Sequence, residues 1–334
     1  MTALDSVLGE PVSSFLIPDE VTDVVRTLTL SADGDQIYIG GDFGLVVVDA
    51  QTGEFEFSVD VSSGQLPGRI FTVKATSSHI YMGGDFLEVN GESRTNIARL
   101  NLAGEVDNAW SPTVTQGVHA GRSAPVQSIA VSPSEDTVYV GGSFRFINDT
   151  PVELSIQNRR VSLLTVSALD GSVRPERFQP EITYDEPKGL IAHEIVVTEN
   201  YVIVAWGGPN YLTFHSLTGE RLNQYTGPGD IQTLQIVGDH IFVGHHGEFL
   251  DTLENPIPPE AIVSIQPEIY RPFKATSFRI DDGSFLPEQS WELLGAFGVW
   301  GISASEDGLW LAGNLRRAGT SGRNVEGVVR FPLR

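Results

Sequence analysis

The chain has 334 residues, with 21 Lys and Arg against 43 Asp and Glu, a net charge of −22, and no cysteine. Phosphate backbones are bound through clustered Lys and Arg, so the charge excludes nucleic acid as a partner and argues equally against docking on anionic membranes. Without cysteine there are no disulfides, thiolate metal sites or Cys nucleophiles.

The chain opens on MTALDSVLGEPVSSF, which carries Asp5 and Glu10, no basic residue and no apolar run of signal-peptide length. No window approaches a membrane span, so neither Sec export nor membrane insertion is expected of it as given. Residues 1–12 read as a leader. Residues 13–18, SSFLIP, read as a strand, because they resemble NAWSP at 108–112 and ERFQP at 176–180.

A repeat then begins. IYIGGDF ends at Phe43, IYMGGDF at Phe86 and VYVGGSF at Phe144. Looser copies are VIVAWGG ending at Gly208, IFVGHHG ending at Gly247 and LWLAGN ending at Asn314. Spacings of about 40 to 70 residues between copies built of short strands mark a propeller or solenoid. Each copy is preceded by an alternating strand, such as RTLTLS from Arg26 or VQSIAVS from Val126, and by a tight polar turn. After it come another apolar strand, a Gly hairpin turn (Gly53, Gly104, Gly171, Gly219, Gly283) and a more polar closing strand.

That grammar predicts an all-β, six-bladed β-propeller of four-stranded antiparallel blades. The blades fall at about 21–60, 68–112, 124–180, 189–227, 229–291 and 295–334. The last unit stops one strand short at GVVRFPLR. Residues 13–18 are therefore expected to close it and to remove an open sheet edge, making one domain of the whole chain. The Gly pairs read as structural: a residue without Cβ lets backbones approach where strands converge.

The fullest unit, IYMGGDFLEVNGESRTNIARLNLAGEVDNAWSP from Ile80 to Pro112, resembles the delta-60 repeat family of bacterial and phage-associated β-propellers. The elements that carry the resemblance are Gly83, Gly84, Phe86, Val89-Asn90-Gly91, Arg94, Ala98-Arg99-Leu100, Gly104 and Trp110-Ser111-Pro112. It implies a propeller fold, a place in large surface or secreted proteins, and no common activity.

Function is expected where length varies. The hairpin turns are uniformly short, whereas the joins between blades and the connections between second and third strands are long at 87–96, 113–124, 146–159, 181–190 and 245–273. In a propeller these emerge on one face, which is how recognition surfaces are built on rigid scaffolds. Aromatic and polar residues expected there to contact a ligand are Tyr184 with Asp185, Trp206 with Asn210 and Tyr211, and Phe249 with Tyr270. For Trp206 the competing reading is inter-blade core. His245 and His246, with Glu248, are residue types that ligate zinc. Adjacent histidines in a strand point to opposite sides, so ordinary loop histidines are the expectation and no metal or cofactor is assigned. His193 and Trp300 lie on channel-lining strands; a histidine there suits a general base, but no catalytic motif accompanies it. Arg94 and Arg323 are expected to brace loops.

Two functions follow as expectations. One is a non-enzymatic recognition or assembly module on a cell or virion surface, such as a phage tail component. It would bind a surface glycan or a protein partner, as a monomer or within a larger assembly. The other is a carbohydrate-active hydrolase or lyase working at the channel mouth.

Overall fold

The computed structural model describes residues 3–5, 10–117, 123–154, 159–182, 190–207, 210–226, 231–245, 273–286, 291–294, 298–305, 308–315, 317–318, 323–324 and 327–331. The chain forms two compact units, Met1–Pro175 and Glu176–Arg334. Both are all-β; the described residues hold a single three-residue 3-10 turn, Pro175–Arg177, and no helix long and apolar enough to cross a membrane.

Among the described residues, the first unit contains three antiparallel meanders. The first pairs Val25–Leu30, Gln36–Gly41, Gly44–Asp49 and Phe55–Val59 in sequence order. The second pairs Arg69–Ala75, His79–Asp85 and Ile97–Asn101, and the third pairs Val126–Val131, Thr137–Gly142 and Arg159–Ser167. Isolated bridges Leu100↔Val106 and Val166↔Val173 stand where a fourth strand would pair. The second unit repeats the pattern. Leu190–Val197, Tyr201–Gly207, Tyr211–Ser216 and Arg221–Thr226 make a complete four-stranded meander. Ile231–Val237, His240–His245 and Phe273–Arg279 follow, then Gly298–Ser305, Gly308–Asn314 and Val328–Phe331.

The second and third strands are buried on both faces, which is why they read as unbroken apolar runs. Neighbouring meanders share their cores. Tyr38, Leu45 and Val47 of the first pack with Ile70, Met82 and Leu100 of the second, and Phe214 and Tyr225 pack with Phe278 in the other unit.

The Gly pairs have two distinct jobs. A Cβ on the first glycine would crowd the inner strand of the next meander: at Gly40 it would lie 2.8 Å from Ile70 Cγ2, at Gly83 on Val126 and at Gly244 2.9 Å from Val299 Cγ1. A Cβ on the second would overlap a carbonyl of its own meander's inner strand, Val24 O at Gly41 and Arg69 O at Gly84. We therefore expect Gly84→Ala to cost about 3 kcal/mol, because the obstacle is backbone and cannot rotate away. Denaturant titration checks this, and a loss under 1 kcal/mol would contradict the packing argument.

The closing segments follow one rule within each unit. The segment that ends a meander seats on the Gly hairpin turn of the next one. Phe57 lies against Gly104; Pro112 lies against Gly171 while Trp110 Nε1 donates to Ser167 O at 2.8 Å. In the second unit Gln179 N donates to Thr218 O at 3.1 Å, and Asn223 Nδ2 donates to Asp282 O at 3.0 Å. The opening segment obeys the same rule without a preceding meander. Leu16 N donates to Thr52 O at 2.7 Å, and a Cβ on Gly53 would overlap Leu16 O. Residues 13–18 are thus not a strand, as their sequence suggested; they form a turn and an extended stretch that pairs with no sheet among the described residues. Phe15 and Val21 nevertheless pack with Ile39, Val46 and Val48, covering the outer face of the first meander.

Candidate functional site

The end of the meanders that bears the long connections is built mainly of secondary sheets. Val61–Ser63, entering the second meander, pairs with Glu88–Val89 of that meander's own second-to-third connection, which turns back through Glu92–Ser93. Val114–Gly117 does the same with Phe144–Ile147 and Thr150–Pro151. In the other unit Trp291–Leu294 pairs with Arg317–Ala318, which pairs with Arg323–Asn324. The connections at 87–96 and 146–154 are therefore ordered hairpins where irregular loops were expected.

Asparagines fasten them. Asn90 and Asn148 take left-handed conformations, φ 48° and 47°, which asparagine tolerates better than most residues. Asn90 N donates to Asp60 O at 2.9 Å while its Oδ1 accepts from Asp60 N at 3.0 Å; Asn148 repeats both bonds with Thr113. Arg94 is buried and braces the hairpin, donating to Ser93 O and to Asp107 O and Asn108 Oδ1. Arg99 lies 5.4 Å over the Trp110 ring and donates twice to Asp107. Asn90, Arg94, Arg99 and Trp110 of this repeat are thus spent on the framework. Arg323 lies in a strand, and its side chain is outside the described residues.

Side chains left for recognition are set by a second repeated feature that sequence reasoning missed. Each described inner strand shifts register by one residue beside the Gly pair: at Val25/Thr27, Ile70/Thr72 and Val126/Ser128, and at Ala192/Glu194, Ile231/Thr233 and Val299/Gly301. A bulge leaves one residue outside the ladder and re-aims it, and bulges concentrate beside functional sites. The residues so released are Arg26, Phe71 and Gln127 in one unit and His193, Gln232 and Trp300 in the other. All six are planar groups able to stack or hydrogen-bond. All sit at the strand end where the joins arrive. His193 and Trp300 were legible as channel-lining strand residues; the other four become visible only when the six inner strands are aligned on the residue before Thr27, Thr72 and Ser128.

In the first unit Arg26 and Phe71 meet, joined by Arg69. Arg26 pairs side-on with Asp42, Nε to Oδ1 and Nη2 to Oδ2, and this bond holds the Asp42 carboxyl below its usual range. Arg69 pairs with Asp85 through a single 2.9 Å bond. Both guanidinium groups stack on the half-buried Phe71 ring, 5.0 and 5.8 Å from its centroid. Gln127 Oε1 is shielded from solvent and accepts no hydrogen bond among the described residues. In the second unit Trp300 is 51% exposed, and His193 lies over Gly207, where a Cβ would strike its ring.

Several expected contact residues lie elsewhere. Trp206 is 0% exposed, with Nε1 donating to Thr213 Oγ1 at 2.7 Å, so the core reading of it holds. It sits on a strand paired on both sides, with its indole enclosed in the core. Tyr211 opens the next strand and is buried. Asn210 makes the turn before it, at φ 62°. His245 is buried, its Nε2 2.7 Å from Thr276 Oγ1, and burial pushes its pKa down to about 3. It is neutral and inward-facing, as a core histidine is. Tyr184, Asp185, His246, Phe249 and Tyr270 lie outside the described residues. No group of three or more His, Cys, Asp or Glu among the described residues is placed to hold a metal ion.

A Ser–His–Asp line occurs at the opposite end. Ser78 Oγ is 2.8 Å from His79 Nδ1, and His79 Nε2 is 3.9 Å from Asp107 Oδ2. Asp107 is engaged by Arg99, and 3.9 Å is beyond hydrogen-bond reach, so the carboxylate does not orient the imidazole as a nucleophile's base requires.

A family model described as "Domain of unknown function (DUF5122) beta-propeller" matches residues 78–109, the stretch containing the best-formed repeat. No curated protein sequence matches the chain. Among solved structures it is similar to the WD40 β-propeller domain of Doa1, at 10% identity and TM-score 0.56, covering 92% of this chain and 78% of that one. It is also similar to the Neurospora crassa Pan2 WD40 domain, at 13% identity and TM-score 0.51, covering 89% and 88%. A computationally designed protein, Ika8, gives 12% and 0.50, covering 91% and 74%. At such identities the likeness speaks to fold alone: the chain is all-β and propeller-like.

Proposed function

We propose that this protein is a non-enzymatic recognition module that binds a surface glycan or a protein partner at the end of its meanders where the joins and long connections emerge. The observation that carries the reading is the recurring bulge, which takes a guanidinium, a phenyl, an imidazole, an indole and two carboxamides out of the ladder of otherwise regular strands. The framework bonds of Asn90, Arg94, Arg99 and Trp110 support it from the other side, since the conspicuous motif residues are already used.

The same reading takes the meanders as six blades of delta-60 type in one propeller. The opening segment would stand where the closing segment of a preceding blade stands elsewhere; its seat on Thr52 and Gly53 supports this. A place on a cell or virion surface belongs to the proposal as well.

A glycan array probed with the intact protein tests the reading, followed by affinity and turnover measurements on any hit. Phe71→Ala and Trp300→Ala probe the two units separately, and at least one of them is expected to weaken binding tenfold or more with the glycan left chemically intact. Cleavage of a bound glycan would instead establish the hydrolase, and binding indifferent to both substitutions would place the site elsewhere.

A further inference from the structure

We propose that Arg69 and Asp85, held beside Phe71 in the unit formed by residues 1–175, are a subsite for one uncharged sugar residue. The inference rests on the glycan-binding form of the reading above. Arg26 and Arg69 look alike in sequence but are used differently. Arg26 is closed, with two nitrogens on both oxygens of Asp42. Arg69 is open: among the described residues only its Nη2 is engaged, by Asp85 Oδ2, which leaves Nε, Nη1 and the second carboxylate oxygen uncommitted. Its side chain is 46% exposed.

Guanidinium donors beside a carboxylate acceptor match two adjacent hydroxyls of a pyranose ring, because each hydroxyl both donates and accepts. Stacking on Phe71 restrains the guanidinium before any ligand arrives, so less rotamer freedom is lost on binding. The arrangement adds little to fold stability, since the pair is made through one bond and its Arg69 side is open to solvent. The chain's net charge of −22 selects an uncharged sugar over a uronate or sulfated one, which would be repelled on approach.

The test is isothermal titration of the intact protein with neutral tetrasaccharides of glucose, mannose and N-acetylglucosamine, and with tetragalacturonate as the anionic comparator. A neutral probe is expected to bind, and Arg69→Gln and Asp85→Asn are each expected to weaken it at least tenfold, with melting temperatures within about 2 °C of the parent. Neutral binding that survives both substitutions but falls with Trp300→Ala would overturn the subsite and leave the recognition module standing. Preference for tetragalacturonate also overturns it. Binding of no saccharide overturns it too, and leaves only the protein-partner form of the module.

Discussion

Deleting residues 1–21 is expected to lower the melting temperature of the unit formed by residues 1–175 by about 10 °C. Phe15 and Val21, each partly buried, pack on Ile39, Val46 and Val48; complete burial of one such side chain is worth about 1.5–3 kcal/mol, so the two together contribute about 2–4 kcal/mol. The Leu16 N–H to Thr52 O bond adds about 1 kcal/mol. A loss of 3–5 kcal/mol in a unit of this size corresponds to that shift, at roughly 2–4 °C per kcal/mol. Gly53→Ala separates the packing from chain length. A Cβ there would overlap Leu16 O, and the residue stands at φ +74°, so the substitution should eject the segment and reproduce most of the loss with every residue still present. Exposed apolar strands on the uncovered face should also bring aggregation on heating. Unchanged melting of both variants would mean that the segment is ornamental.

Acidification is expected to unfold the second unit before the first. His215 is fully buried: Nδ1 lies 3.1 Å from Gly219 O and Nε2 2.8 Å from Thr213 Oγ1, which also accepts from Trp206. A carbonyl only accepts, so Nδ1 carries the proton and the Thr213 hydroxyl donates to Nε2. The resulting chain runs from Trp206 through Thr213 and His215 to the Gly219 carbonyl and requires a neutral imidazole. Burial lowers the His215 pKa to about 4, and that of His245 to about 3. Both folded values lie below the unfolded one, so the unfolded chain binds more protons. The stability these residues contribute is complete above about pH 6.5 and is lost as pH falls from there toward 4. At pH 5 each costs about 2 kcal/mol relative to neutral pH, and the two together about 4 kcal/mol, a large share of a typical domain's stability. Hydrogen exchange followed by mass spectrometry between pH 7.5 and 4.5 should show peptides from 190–245 losing protection first. Substituting glutamine at 215 and 245 removes the titration and should flatten the pH dependence even where it lowers stability at pH 7.5. An equal acid response in the double variant would rule out these histidines as its cause.

How much of this was legible depends on which residues carry a local signal. Gly40, Gly83 and the turn glycines mark positions where a Cβ has no room, so they recur in the sequence and reveal the repeated meander directly. SSFLIP resembles NAWSP and ERFQP, and all three segments dock on a Gly turn, through Leu16 on Thr52 and Gly53, Pro112 on Gly171, and Gln179 on Thr218 and Gly219, although residues 13–18 do not form a strand. The site was harder to read. Trp206 follows the pattern of a surface aromatic beside Gly207 and Gly208, and only the pairing of its strand on both sides buries it. Arg26, Phe71 and Gln127 share no chemistry that a motif search recognises; their kinship is a backbone irregularity, one residue too many opposite a Gly pair. Asn90 and Asn148 were visible as turn residues, but their fastening of the incoming join depends on a partner 30 or 35 positions distant.

The seating rule also has a direction. In each unit the piece that caps a turn is synthesised before the turn it caps, so a ribosome releases every lid ahead of its vessel. Nascent sheets can then be finished one by one as they emerge, without waiting for the carboxyl end.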